Sequence, residues 1–126
     1  MHRSQLGGFI IDCQTGDLPA AGEFWSRALG LPMRASAESE DRGYVILGTN
    51  TNQPYLEVQK VDHPSRVHLD IETDNIEAEV TRLEKLGAKR VKNVRSWVIM
   101  EAPTGQRFCV VTAVRTNFTT ESNMWD

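Results

Sequence analysis

Residues 66–91 read RVHLDIETDNIEAEVTRLEKLGAKRV, and this stretch decides the fold because it spells a strand, a capped helix and a second strand in succession. Over residues 66–72, Val67, Leu69 and Ile71 alternate with Arg66, His68, Asp70 and Glu72, the period of two that gives a strand one apolar and one polar face. Asp74, with Glu77 three residues on, predicts an N-cap and its capping-box partner, since each carboxylate takes up amides that the first helical turn leaves unpaired. Ile76, Val80, Leu83 and Leu86 then fall on one stripe of a helix about three turns long, and Gly87 supplies a left-handed stop. That stripe needs an apolar partner. The Val67/Leu69/Ile71 face is the expected one, which turns His68 and Asp70 to the opposite side.

The same grammar recurs upstream. Asp17 is placed to cap a helix with Pro19 in its first turn; Leu18, Ala21, Phe24, Trp25 and Ala28 follow at helical spacing to Gly30, and Pro32 prevents continuation. Trp25 is accordingly assigned to the core. A strand over residues 6–13, around Phe9-Ile10-Ile11, precedes this helix, and Gly7-Gly8 marks a flexible lead-in or a close backbone approach. Residues 35–42 are polar and acidic and read as a loop or hairpin turn; strands are expected over 43–48 and 55–61, around a turn at 49–52. Beyond the central stretch, strands are expected over 89–94, 97–101 and 107–114, with Pro103-Thr104-Gly105 as a turn. The polar residues 115–126 are expected to fray.

The order is strand, helix, three strands, twice over. A shift of 57 residues carries Asp17 onto Asp74 and Leu29-Gly30 onto Leu86-Gly87, so helix starts and stops superpose while the residues between them differ. The fold class is therefore α+β, one domain of two tandem βαβββ modules, the first over about residues 5–61 and the second over about 66–114.

At 126 residues the chain can bury a core without metal or disulfide staples. Its net charge of −3, with basic residues dispersed, gives no reason to expect nucleic acid. No apolar run reaches the roughly 18–20 residues needed to span a bilayer, and MHRSQLGG lacks the apolar centre of a signal peptide, so a soluble cytoplasmic protein is expected. Cys13 and Cys109 have neither the number of a disulfide framework nor the paired spacing of a zinc site, and are expected as apolar thiols.

Three sets of side chains are candidates for chemistry. His68 and Asp70 share a strand face, and imidazole near a carboxylate is the usual proton acceptor near neutral pH; a histidine hydrogen-bonded within a polar sheet face is the plain alternative. Tyr55, Glu57 and Gln59 alternate with Leu56 and Val58, which puts three hydrogen-bonding groups on one face of a strand, in contact with ligand or with water. Trp97, Ile99 and Glu101 form a further set that suits an apolar pocket with few polar fixtures. His2 and His63 lie outside the expected strands and are expected in solvent.

Taken in order, AGEFWSRALGL, PYLEVQKV, the stretch over 66–91 and WVIMEAPTGQRFCVV resemble the glyoxalase/bleomycin-resistance/dioxygenase superfamily, the vicinal oxygen chelate proteins, over nearly the whole chain. The opening His68-Leu69-Asp70 of the second module is similar to that of small glyoxalase-like domains. The resemblance implies a mixed sheet curled around a cleft that holds a small organic molecule, and a homodimer. It also implies metal ligands on the first and last strands of each module. Here those places fall at Gly7 or Gly8, Glu57, His68 and Cys109; two hard ligands, His68 and Glu57, and a thiol are fewer than a catalytic metal commonly takes. The expectation is a small-molecule-binding protein without a catalytic metal or other cofactor. Its ligand would meet Tyr55, Glu57, Gln59, Trp97 and Cys109. The alternatives are a lyase or isomerase using His68 with Asp70, Glu57 or Glu101, and a lyase or dioxygenase dependent on a divalent metal.

Overall fold

The computed structural model describes residues 1–34, 42–50 and 52–126, so most of the loop expected over 35–42, and residue 51 of the turn at 49–52, lie outside the described residues. Among those described, nine strands and three helices of a mixed α+β fold form two compact units, residues 8–67 and residues 1–7 with 68–126.

In the unit of residues 8–67, strand β4 (Tyr55–Val61) is central. It runs parallel to β1 (His2–Gln14), Gly8 facing Tyr55 and Gln14 facing Val61, and antiparallel to β3 (Tyr44–Leu47), on which the short β2 (Met33–Arg34) pairs in turn. Alternation sends Val58 with Val45 and Leu47 to one side, where Ile11, Cys13 and Leu56 join them against Leu18, Ala21 and Trp25 of helix α1 (Leu18–Leu29). The expected cap is present: Asp17 accepts the Ala20 amide at 3.1 Å, and Gly30 stops the helix at φ 69°. Close approach of α1 requires Gly22, because a Cβ there would lie 2.7 Å from Val45 Cγ2. Phe24 and Ala28, expected on the buried stripe, are exposed; Phe24 packs edge-on against Trp25 with ring centroids 5.1 Å apart.

The second unit holds β5 (Arg66–Thr73) from His68 onward, α2 (Ile76–Lys85), β6 (Lys89–Val94), β7 (Trp97–Glu101), β8 (Arg107–Thr112), α3 (Phe118–Glu121) and β9 (Asn123–Trp125). Strand β8 runs parallel to β5 and antiparallel to β7, and β6 closes the edge as a hairpin partner of β7. Val80 and Leu83 of α2 bury Val98, Met100 and Val110, with Ile71, Ile76, Ala88 and Phe108 around them.

Here the sequence-based expectation needs correction. The apolar face of β5 does not receive the whole stripe, because α2 packs on β8, β7 and β6 and only Ile71 of β5 reaches the cluster. Val67 and Leu69 are 61% and 44% exposed, and Leu86 is exposed too. The cap of α2 is Asn75, which accepts the Ala78 amide at 3.1 Å, and not Asp74, whose carboxylate accepts the Arg3 amide at 2.8 Å. Glu77 serves no capping box; it pairs with Arg90 at 3.0 Å. Gly87 has the expected positive φ of 104°.

The residues expected to fray are ordered. Phe118 is buried, and β9 pairs antiparallel with the start of β1, His2 facing Trp125. The Trp125 indole donates to Ser4 Oγ at 2.8 Å and lies under the Arg82 guanidinium, 3.9 Å from the ring centroid. His2, expected in solvent, is buried on β1, and its Nε2 donates to Glu79 Oε1 at 2.8 Å. A segment that is polar by composition is thus held by two aromatic anchors and a strand ladder.

Candidate functional site

Register places the candidate residues of the second unit. Asp70 on β5 faces Cys109 on β8, and Cys109 faces Ile99 on β7, so one row crosses three strands. On the same side the next row pairs Glu72 with Val111, and the row before pairs Arg107 with Glu101. Val110, Val98, Met100 and Ile71 occupy the side that α2 covers, so alternation directs this polar row to the opposite face. The expected turning of His68 and Asp70 away from the helix holds. Trp97, two residues before Ile99 on β7, shares their face by the same alternation and is half-buried.

On that face three side chains converge. Nε2 of His68 lies 3.5 Å from Oδ1 of Asp70, with both side chains largely shielded. One ligand atom from each of His68, Asp70 and Cys109 lies within 4.8 Å of the others. The i and i+2 spacing of His68 and Asp70 leaves their backbones almost 7 Å apart; the side chains close the distance themselves. Glu101, a candidate acid or base, is bound to Arg107, whose Nε donates to its Oε1 at 3.1 Å. Farther along, Glu72 is fully buried. Its Oε1 accepts from Gln5 Nε2 at 2.7 Å, and its Oε2 from the amides of Val114 and Arg115 at 3.0 and 3.3 Å. The segment after β8 therefore closes one end of the face.

Tyr55, Glu57 and Gln59 belong to the other unit, on β4, facing Gly8, Ile10 and Asp12 of β1 and turned away from α1. All three are half-buried. Gly8 is a close approach: a Cβ there would lie 2.3 Å from Tyr55 Cδ1 and 2.5 Å from Tyr55 O, leaving no room for a ligating side chain. Both cysteines are half-buried free thiols. Burial pushes the Cys13 thiol up, against the lowering effect of its hydrogen bond with Trp25.

The donor set suits a borderline divalent cation. Imidazole nitrogen, carboxylate oxygen and thiolate sulfur are the three zinc ligand types, and three protein donors leave a coordination position open. Asp70 is the cluster member that the expected ligand places omit; Glu57, which they include, lies on β4 in the other unit. Arg107 is also missing from the sequence-based set; its alternation with Cys109 along β8 was the available signal, and nothing in the sequence gives the register that brings β8 to β5.

The family model described as a glyoxalase-like domain matches residues 8–111. No curated protein matches the sequence significantly. Among solved structures, a hypothetical protein from Bacillus halodurans superposes with a TM-score of 0.58 at 12% identity, covering 88% of this chain and 95% of that one. A methylmalonyl-CoA epimerase in complex with methylmalonyl-CoA gives 0.57 at 15% identity, with 90% and 98% covered. A Streptomyces coelicolor methylmalonyl-CoA epimerase variant in complex with 2-nitronate-propionyl-CoA gives 0.56 at 16%, with 86% and 98% covered. At these identities the likeness is one of fold.

Proposed function

Because this chain belongs to the family of glyoxalase-like domains, we propose that it binds a small organic molecule on the sheet face that carries His68, Asp70 and Cys109. The observation that carries the reading is the convergence of one donor atom from each within 4.8 Å, on the side of the sheet that α2 does not cover. Half-buried Trp97 and Ile99 add apolar surface to the same face, the mixture of apolar wall and few polar groups that small-molecule sites present. The similarly folded epimerases are described with CoA esters, which supports a small-molecule role at the level of class.

Two further readings keep the same residues. The 3.5 Å approach of Asp70 to His68 favours a lyase or isomerase in which His68 accepts a substrate proton and Asp70 stabilises the resulting imidazolium. A resident divalent ion of the zinc class would be held by His68, Asp70 and Cys109, and it would supply a Lewis acid beside the bound molecule. Binding without a resident metal is our primary reading. Elemental analysis separates these. About one tightly held ion per chain that His68→Ala removes replaces the metal-free reading with the metal-dependent one.

The binding reading is tested by amide NMR with a fragment set of small polar molecules. Fragments that bind are expected to shift the Asp70 and Cys109 amides, and His68→Ala to weaken them without unfolding the chain. A set whose hits all map to the α2 side overturns it. We also propose a homodimer, for which exposed Val67 and Leu69 supply apolar strand surface; a monomer mass by light scattering at high concentration counts against it.

A further inference from the structure

Resting on that reading, we infer that Arg107 is the anion anchor of the His68/Asp70/Cys109 face and that the molecule bound there carries a carboxylate.

Three observations carry this. Arg107 and Cys109 are two residues apart on β8, so their side chains leave the same side of the sheet about 7 Å apart. The Arg107 guanidinium is within reach of solvent, its side chain 39% exposed, and Glu101, its ion-pair partner among the described residues, is 37% exposed. Glu101 engages Nε alone, at 3.1 Å, and among the described residues neither Nη of Arg107 makes a hydrogen bond. A guanidinium tethered through Nε keeps its other edge fixed in direction and open. That edge presents two parallel N–H donors, the fork that matches a carboxylate in bidentate geometry.

The rest of the face then fits one kind of ligand. A carboxylate on Arg107 puts the adjoining carbons over the Cys109/Ile99 row and the next polar atom near His68 and Asp70. Asp70 opposes an anion in its own place, in the Cys109 row, which leaves the carboxylate to the neighbouring row of Arg107. Arg107 thereby sets which molecules enter, while His68, Asp70 and Cys109 meet what lies beyond the carboxylate. Glu101 has the role of a positioning residue for Arg107, in place of the acid–base role expected for it.

The experiment compares malonate with its neutral counterpart malonamide, titrated into the full chain with amide and Arg Nε–Hε resonances followed by NMR. Malonate is expected to shift Arg107 Nε–Hε together with the Cys109 and Asp70 amides, and malonamide to shift them far less. Loss of two charge-assisted hydrogen bonds in Arg107→Gln is expected to weaken malonate roughly ten- to hundredfold. Arg107→Lys, which keeps the charge and loses the fork, is expected to fall between. The exposed Glu101 pair contributes little to stability, so both variants should fold. Equal shifts of Cys109 and Asp70 by both probes, unchanged in Arg107→Gln, overturn the anchor and leave the binding face standing. Malonate shifts confined to other basic residues, such as Lys89 and Lys92, also overturn the anchor. No shift on this face from either probe removes both the anchor and the reading beneath it.

Discussion

Glu79 is shut off from solvent in the second unit, yet it stays ionised because of what surrounds it. Burial by itself pushes its carboxyl up; hydrogen bonds from Arg82, His2 and Ser4 and the Arg82 charge outweigh that and hold it below the usual carboxylate range. Arg82 reaches both oxygens at 2.8 Å, and the Trp125 ring covers the far side of the guanidinium. A group with a lowered folded-state pKa contributes stability that is complete above the ordinary carboxylate range and is lost as pH falls through its folded value. Thermal melts across the acid range should therefore show a loss of stability that Glu79→Gln flattens, at the cost of lower stability at neutral pH. Identical acid limbs for the two proteins would contradict this. A second prediction separates a face from its cover. Met100 is fully buried, so Met100→Ala should cost about 2–5 kcal/mol in denaturant unfolding. Leu69→Ala should cost well under that, since Leu69 keeps 44% of its surface exposed. Alternation in the sequence assigns Leu69 a side of the sheet; it carries no information on where α2 comes to rest.

Helix ends were the most legible elements, though not to the residue. The stop at Gly87 and the whole frame of α1 follow from local chemistry, which needs only neighbours along the chain. Asp74 and Asn75 are adjacent and equally able to cap, and a contact from 71 residues away decides between them: Asp74 takes the Arg3 amide and Asn75 is left to the helix. Asn75→Ala should thus cost about 0.5–2 kcal/mol by denaturant unfolding, most of it local to α2 in hydrogen exchange. Removing residues 1–3 frees Asp74 to compete for the cap, so the cost of Asn75→Ala should shrink in that background. The last twelve residues were misjudged for a related reason. Their composition is polar, and the two residues that matter, Phe118 and Trp125, find partners only across the fold. A chain ending at residue 114 should melt lower, since the side chains of Gln5 and Glu72 lose their contacts with Asn117 and Arg115. An unchanged melting temperature would make the segment dispensable.

Across the molecule, the repeat of strand, helix and three strands was readable because both modules use the same punctuation, a side-chain cap before each helix and a left-handed glycine after it. The candidate site was readable only in part. His68 and Asp70 are near in sequence, so alternation finds them together; Cys109 and Arg107 come to their side through the parallel pairing of β5 with β8, almost forty residues later. Long-range register is a property of packing, and a single sequence records it weakly. No described helix is long and apolar enough to cross a membrane.

The pairing of His2 with Trp125 joins strand segments about 120 residues apart along the chain. At synthesis rates of about 5–20 residues per second, His2, Arg3 and Ser4 wait roughly 6–25 seconds for their partners to be made. Strands β2, β3 and β4 and the part of β1 that pairs with β4 have one another as partners long before that, so residues 8–67 should acquire structure before residues 2–4 do. Residues 2–4 can pair with β9 only after β9 has been made. On ribosomes arrested at increasing lengths, protection from protease should appear over residues 8–67 first. Residues 2–4 should stay cleavable until β9 has left the exit tunnel. For a few seconds in each round of synthesis, then, residues 2–4 are without the β9 partners that complete their ladder.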